Sequence, residues 1–433
     1  MKKKNLIIVL ALVLCVSCNN IRQKNINFEV KQITAGPKHH LFGYIGHSLT
    51  IPWNESGRYI VAMRTDFFKR MPKAGEPCDI VIIDTENNYT VTKVDESLAW
   101  NLQKGTMLYW NPNAPETQFF FNDRDPKTED IFTVLYDIST MKRVKEYRFG
   151  PGPSTVANTG VAPNGKYFVA VNHGRNNGRE VVSYAGAVDE TLSKPANPTT
   201  DGLFKVDIAT GKRTLIISYD AIVKSLAPMG YVVDPSYPLT INRTTCNRNS
   251  NRINFVIRGN GGGPNNRPGK WPQVELIIRD DGTHLIHMPK SGHTDWLEGP
   301  VITYANKQGW IDLYNVDSAS FTGDKIGTKN TFPDPGADLA YSPDGRWMVC
   351  SYKSDGSWCY QFYRFSDGAV FTATTTLTFE GATPNNNSTR IDGAPRWNRT
   401  SDAILVGGIV TENNPSKGTR QMAIIRLAPN TNQ

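Results

Sequence analysis

The chain has 433 residues, 39% of them apolar and 20% charged, with a formal net charge of +8. That apolar share supports a substantial core, and the mild positive balance permits an acidic ligand without requiring one. No block of Lys and Arg and no interleaved aromatic stripe suggests nucleic acid, and beyond the N-terminus no apolar run is long enough to span a membrane.

In chain order, the first 18 residues read as a targeting segment: Lys2-Lys3-Lys4, an apolar run from Leu6 to Leu14, then Cys15-Val-Ser-Cys18. A Cys directly after Ser17 resembles a bacterial lipoprotein signal, although Cys15 stands where Leu is usual. It implies cleavage before Cys18, acylation of that thiol and an exported, envelope-bound protein on the outer membrane or in the periplasm. Ordinary secretion without lipid is the alternative. Removing the segment leaves 45 basic residues against 40 acidic ones. Residues 19–34 read as a polar tether and residues 35–433 as one domain.

That domain is predicted from a repeat. Its clearest copy is Ala340-Tyr-Ser-Pro-Asp-Gly-Arg-Trp-Met-Val-Cys-Ser351, an aromatic anchor, a tight turn and a strand. Pro sets the φ of the turn, Asp caps it, and Gly takes the conformation that other residues resist. Anchors fall at Trp53, Trp110, Val161, Cys246, Trp296, Tyr341 and Trp397, between 45 and 85 residues apart. Each leads into an apolar strand and then a second one, from Asp79-Ile-Val-Ile-Ile-Asp84 to Met422-Ala-Ile-Ile-Arg426. One such unit cannot bury both faces, so seven copies predict an all-β, seven-bladed β-propeller whose closure hides the sheet edges. Two β-sandwiches would account for the strands but not for the repeated anchor-turn-strand order. A ring that closes on itself is expected to be a monomer.

Between the third and fourth anchors lies the longest spacing, with a loop predicted from about Asn176 to Thr200. Gly259 to Gly269 is a second glycine-rich loop without the strand-to-helix context of a phosphate site. Cys350 and Cys359 lie on consecutive strands, where either a disulfide or two buried thiols fits. No cysteine pair has metal-ligand spacing.

In a propeller the residues just before each anchor gather at one mouth of the central channel. Here they are polar: His47, Asn158, Asn242, Arg243, His293, Asp295, Asp338, Arg390 and Asp392. Each can instead merely cap its own turn. Trp296 and Arg258, the latter ending the strand that starts at Arg252, complete the candidate binding set with His47, Asn242 and Arg243. His173, beside Arg175 and Arg179 at the root of the long loop, reads either as a base whose proton affinity is lowered by its neighbours or as a solvated loop residue. His39-His40, His284 and His287 carry less, and the last two read as surface residues.

Several stretches together resemble a group of propeller proteins related to oligogalacturonate lyases and ulvan lyases. They are Gly36 to Tyr44, Trp100-Asn-Leu-Gln-Lys-Gly105, Phe121-Asn-Asp-Arg124, Gly292-His-Thr-Asp-Trp296 and Pro395-Arg-Trp397. The resemblance runs in order along nearly all of the chain after the targeting segment. It implies β-elimination on a uronate-containing oligosaccharide, which needs a neutralised carboxylate, a base and an acid. It also implies a divalent metal held by His at the channel mouth. His293 matches one such place, but Arg243, Asp338 and Ala394 stand where relatives carry His. The expectation is therefore an altered metal site, reduced to His293 and Asp338, with Arg243 pairing directly with a substrate carboxylate. The acid and base would come from His173 and Tyr184, beside Arg175 and Arg179. A non-catalytic glycan-binding or scaffold propeller, and a partner-binding propeller of the envelope, are the other functions this sequence allows.

Overall fold

The computed structural model describes residues 26–43, 49–150, 155–177, 179–180, 183–188, 196–259, 261–262, 273–336, 338–379, 389–411 and 418–429. Apart from one two-stranded ribbon, the described strands fall into seven antiparallel units of four. Five are separate sheets, and the last two join through the Thr378–Ile409 pair into one eight-stranded sheet. The first strands of the units are His39–Leu41, Tyr109–Trp110, Val156–Val161, Thr240–Cys246, Asp295–Trp296, Leu339–Tyr341 and Arg396–Trp397. In six units the four strands then follow one another in chain order; in the last only three do. Middle strands such as Ile131–Asp137 are buried at every residue, whereas the outer strand Ser320–Ile326 is almost wholly exposed. Burial on both faces is why the middle strands read as continuous apolar runs rather than as alternating ones.

The anchors work between units. Trp110 donates its indole N–H to the carbonyl of Pro52 at 2.6 Å, Trp296 to Thr245 at 3.2 Å and Trp397 to Ala340 at 3.0 Å. In each case the acceptor is the residue just before the preceding anchor. In five of the seven turns that follow, a left-handed residue stands four positions after the anchor. Gly57, Gly165 and Gly345 take φ of 79°, 67° and 71°, and Ser250 and Ser401 take 58° and 61°. Glycine suits that conformation, and serine adopts it against a local steric cost. In the clearest copy the Ser342 hydroxyl accepts from Trp347 N at 2.9 Å and donates to Asp344 at 2.6 Å.

Two findings correct the sequence reading. Residues 26–32, placed in the tether, form a strand, Ile26–Gln32, paired antiparallel with Thr419–Pro429 from Ile26↔Pro429 to Gln32↔Ala423. It supplies the fourth strand of the last unit and so covers an edge that would otherwise be open. The long spacing also holds an eight-residue helix, Tyr219–Leu226, that was not anticipated. Ser218 caps it by accepting from Ala221 N at 3.1 Å, and Tyr219, Ile222 and Leu226 are buried. Cys350 and Cys359 are free and buried, as are Cys78 and Cys246, so the thiol alternative is the one the fold takes. Cys350 lies opposite Gln361, and Cys359 opposite Tyr352.

Candidate functional site

His173 begins a one-turn helix, His173–Asn176, that follows the strand Tyr167–Asn172; Asn172 caps it. The sequence left open a solvated loop residue, but His173 is fully buried. Its Nε2 lies 3.3 Å from the Asn158 carbonyl, and its ring packs on that of Tyr184 with centroids 4.7 Å apart. Burial, and then the charge of Lys104, hold its pKa well below the usual histidine range. Tyr184 is buried as well, its hydroxyl accepting from Asn122 Nδ2 at 3.2 Å, and burial raises its pKa. The structure thus brings His173 and Tyr184 together as a neutral pair.

Above them stands Lys104, which the sequence reading did not single out although it lies within Trp100–Gly105. Asn101 shapes that loop: its Oδ1 accepts from Gln103 N at 3.0 Å and Lys104 N at 2.8 Å, and its Nδ2 donates to Ser183 O at 3.3 Å. The Lys104 ammonium sits 5.1 Å from the centroid of the Tyr184 ring. Its side chain is partly exposed, yet desolvation lowers its pKa to about 8, opposed by the charge of Glu180. Among the described residues it has no hydrogen bond or ion pair.

The predicted arginines do other work. Arg175 is fully buried; it donates Nε to Leu239 O at 2.5 Å and Nη2 to Ala196 O and to Asn197 Oδ1, and it lies 3.8 Å from the Tyr219 ring centroid. It ties the long loop to the fourth unit and has no access to a ligand. Arg179 donates to the Arg175 carbonyl at 2.8 Å. With Glu180, Arg258, Tyr237 and Gln273 it lines an open groove of about 350 Å³. Glu180 is buried there and accepts from Thr240 at 2.5 Å, Asn242 at 3.2 Å and Arg258 at 2.6 Å. Asn242 and Arg258 therefore meet at one carboxylate.

Arg243 is the bulged residue between Asn242 and Thr244, with φ +45°. The bulge aims its guanidinium at buried Glu275 at 3.0 Å, Gly292 O at 2.8 Å and Thr294 at 3.2 Å. It is tied to an internal acid, which corrects the expectation that it awaits a substrate carboxylate. His293 and Asp338 do come together, Nδ1 to Oδ1 at 3.7 Å, beside Arg243, Asp295 and Arg396 in one small cavity. Residues in or just before the first strands of four consecutive units thus converge on one cavity. A divalent cation there would face two guanidinium groups, and among the described residues no group of three or more His, Cys, Asp or Glu is placed to hold one. The residues do not fit the metal that the resemblance implies. Trp296 is buried as an inter-unit anchor rather than displayed to a ligand. His47 lies outside the described residues. His287 is not the surface residue expected: it is half-buried and its pKa is lowered by burial.

The seven units, their inter-unit anchors and the closing strand define the class of the protein as an all-β propeller. No family model matches the chain, and no curated protein matches it. Among solved structures it is similar to TolB from Acinetobacter baumannii, at 11% identity and TM-score 0.39, covering 93% of this chain and 97% of that one. A putative TolB from Agrobacterium tumefaciens is similar at 11% and 0.38, covering 94% and 99%. Likeness at this level carries no argument about function, and the reading below rests on the residues of this chain.

Proposed function

We propose that the chain is a binding propeller for an acidic ligand, of the uronate-oligosaccharide class, taken where Lys104 stands over Tyr184. The observation that carries this is the Lys104 ammonium, partly desolvated and without an ion-pair partner among the described residues. A cation so placed gains from a ligand carboxylate, and a charge-assisted hydrogen bond in a half-dry site is stronger than one in water. The adjoining groove with Arg179 and Arg258 extends the positive surface toward further acidic sugars. The sequence of the first 18 residues supports an exported, envelope protein anchored through Cys18.

Calorimetric titration with galacturonate and glucuronate oligosaccharides tests this reading. Lys104→Met is expected to weaken binding roughly tenfold or more, and Lys104→Arg to keep most of it. Equal affinity of all three proteins, or no affinity for any acidic saccharide, would sink the proposal.

A second reading, β-elimination on the same ligand, is favoured by one observation: an amine with a pKa of about 8 is partly unprotonated near neutral pH and can take a proton. In that reading Lys104 is the base and the neutral Tyr184 hydroxyl the proton donor, so Lys104 takes the place of His173 in the pair His173 and Tyr184 that the sequence put forward. Appearance of an unsaturated uronate in the wild-type protein, abolished in Lys104→Met, would support it. Binding without that product leaves the binding propeller alone.

A further inference from the structure

A second cavity, of about 30 Å³, lies between the first and last units, and no site described above uses it. Its polar lining comes from Gln103, Asp392, Arg396 and Arg420. Arg420 is 7% exposed and Arg396 2%. Asp392 is the sole acid among the lining residues, and both its oxygens are engaged: Oδ1 accepts from Arg390 at 2.8 Å and Oδ2 from Gln103 at 2.9 Å. Arg420 donates Nη1 to the Leu102 carbonyl at 2.7 Å, while its buried Nε has no partner among the described residues. Arg396 also lines the neighbouring cavity that holds Asp295 and Asp338. The carboxylate that bears on Arg420, that of Asp392, is thus already engaged by Arg390 and Gln103.

A buried guanidinium with incomplete hydrogen bonding is costly unless an opposite charge reaches it. Desolvation accordingly pulls the Arg420 pKa down to about 10, with the charge of Asp392 opposing it only in part. The cavity has room for one small ion or one carboxylate group, since a water needs only about 10–15 Å³ measured in this way. Its walls are otherwise apolar: Leu41, Phe42, Leu405 and Met422 keep bulk water from screening the cation. We propose that this cavity is a binding site for a single monovalent anion, held by Arg420 between the first and last units. The proposal does not rest on the Lys104 site.

The source of the anion is either free halide or the carboxylate of a small acid, and both present the same chemistry to a guanidinium. The test uses the full chain. Melting temperature is followed against chloride at constant ionic strength, balanced with a bulky sulfonate, in the wild type and in Arg420→Gln. Crystals are soaked in bromide, and anomalous scattering is measured. A saturable rise in melting temperature, weakened at least tenfold in midpoint by Arg420→Gln, and a bromide peak beside Arg420 are expected. If Arg420→Gln does not fold, the bromide peak in the wild type decides alone. Adding galacturonate distinguishes the sources: loss of the peak identifies a carboxylate site, and persistence identifies a resident halide. A chloride response no different from the sulfonate's, with no bromide peak in the cavity, would overturn the proposal.

Discussion

Three tryptophans of this chain reach the preceding unit through one N–H. Trp397 is fully buried, and its indole reaches the Ala340 carbonyl of the preceding unit at 3.0 Å. Trp397→Phe keeps most of the apolar surface and removes the donor, so the bond between the two units is lost while the Ala340 carbonyl keeps its place in the ladder opposite Val349. We expect a loss of about 1 kcal/mol, read by chemical denaturation. Arg248 does related work with a charge, donating to Leu297 O at 2.8 Å and to Pro343 O and Ser342 O at 3.1 Å. It clasps turns of the fifth and sixth units from the fourth. Arg248→Met should cost about 2 kcal/mol or more, because three carbonyls lose a charged donor. At Lys104 the readout is pH. The ammonium is the form that attracts a carboxylate, so affinity for an acidic oligosaccharide should fall as pH rises through about 8, and Lys104→Arg should flatten that profile. Titration calorimetry at pH 6.5, 7.5 and 9 checks it.

At the scale of elements, the most consequential piece is the strand Ile26–Gln32. Its seven residues pair one for one with Gln32↔Ala423 through Ile26↔Pro429, and Phe28 stacks on Phe362 of the sixth unit at 4.9 Å. A chain starting at residue 33 would expose the edge of Thr419–Pro429. We expect a lower melting temperature and concentration-dependent self-association through that edge, seen by scanning calorimetry and size-exclusion chromatography against a chain starting at residue 25. Unchanged melting and a monomeric elution would contradict it. The strand was misread although Ile26-Asn-Phe-Glu-Val-Lys31 alternates apolar and polar, because it follows a polar stretch and lies ahead of the first anchor. Nothing local says that its partner lies near residue 426. The helix Tyr219–Leu226 was missed for the opposite reason: Ser218 and the spacing of Tyr219, Ile222 and Leu226 were a legible cap and face, inside a segment read only for its length.

Over the whole molecule, four histidines share one property. Burial lowers the pKa of His39, His40, His173 and His287. In the folded state these rings stay neutral at a pH where the unfolded chain binds protons near the ordinary histidine value. The unfolded state therefore gains protons first as pH falls, and stability drops from about pH 6.5 downward, by at most about 1.4 kcal/mol per pH unit for each ring. Asp79 and Asp84, whose pKa values are held low by Arg and Lys partners, begin to contribute only in more acid solution. Denaturation at pH 7.5, 6 and 5 should thus show a steady loss, and an equal stability at all three would count against the burial of these rings. His39 has a structural use for its neutrality: its Nδ1 accepts from Arg420 N at 3.1 Å, across 381 residues of chain, and a protonated ring nitrogen cannot accept.

What this sequence determined by itself is the repeated unit. Anchor, turn and strand are contiguous, and their chemistry is local: an aromatic or apolar anchor, in five of the seven a left-handed residue four places on, and an apolar run for a strand buried on both faces. Seven such copies were legible without coordinates, whereas the indole bonds by which three of the anchors reach the preceding unit were not. Tertiary structure decided everything that depends on which distant groups meet. It turned Arg243 inward to Glu275, buried His173 under Tyr184, lifted Lys104 over that pair, and joined Ile26–Gln32 to the far end of the chain. The reason is physical. Strand and turn preferences depend on neighbouring residues, whereas burial, ion pairing and the pKa of a side chain depend on groups brought close only when the ring closes.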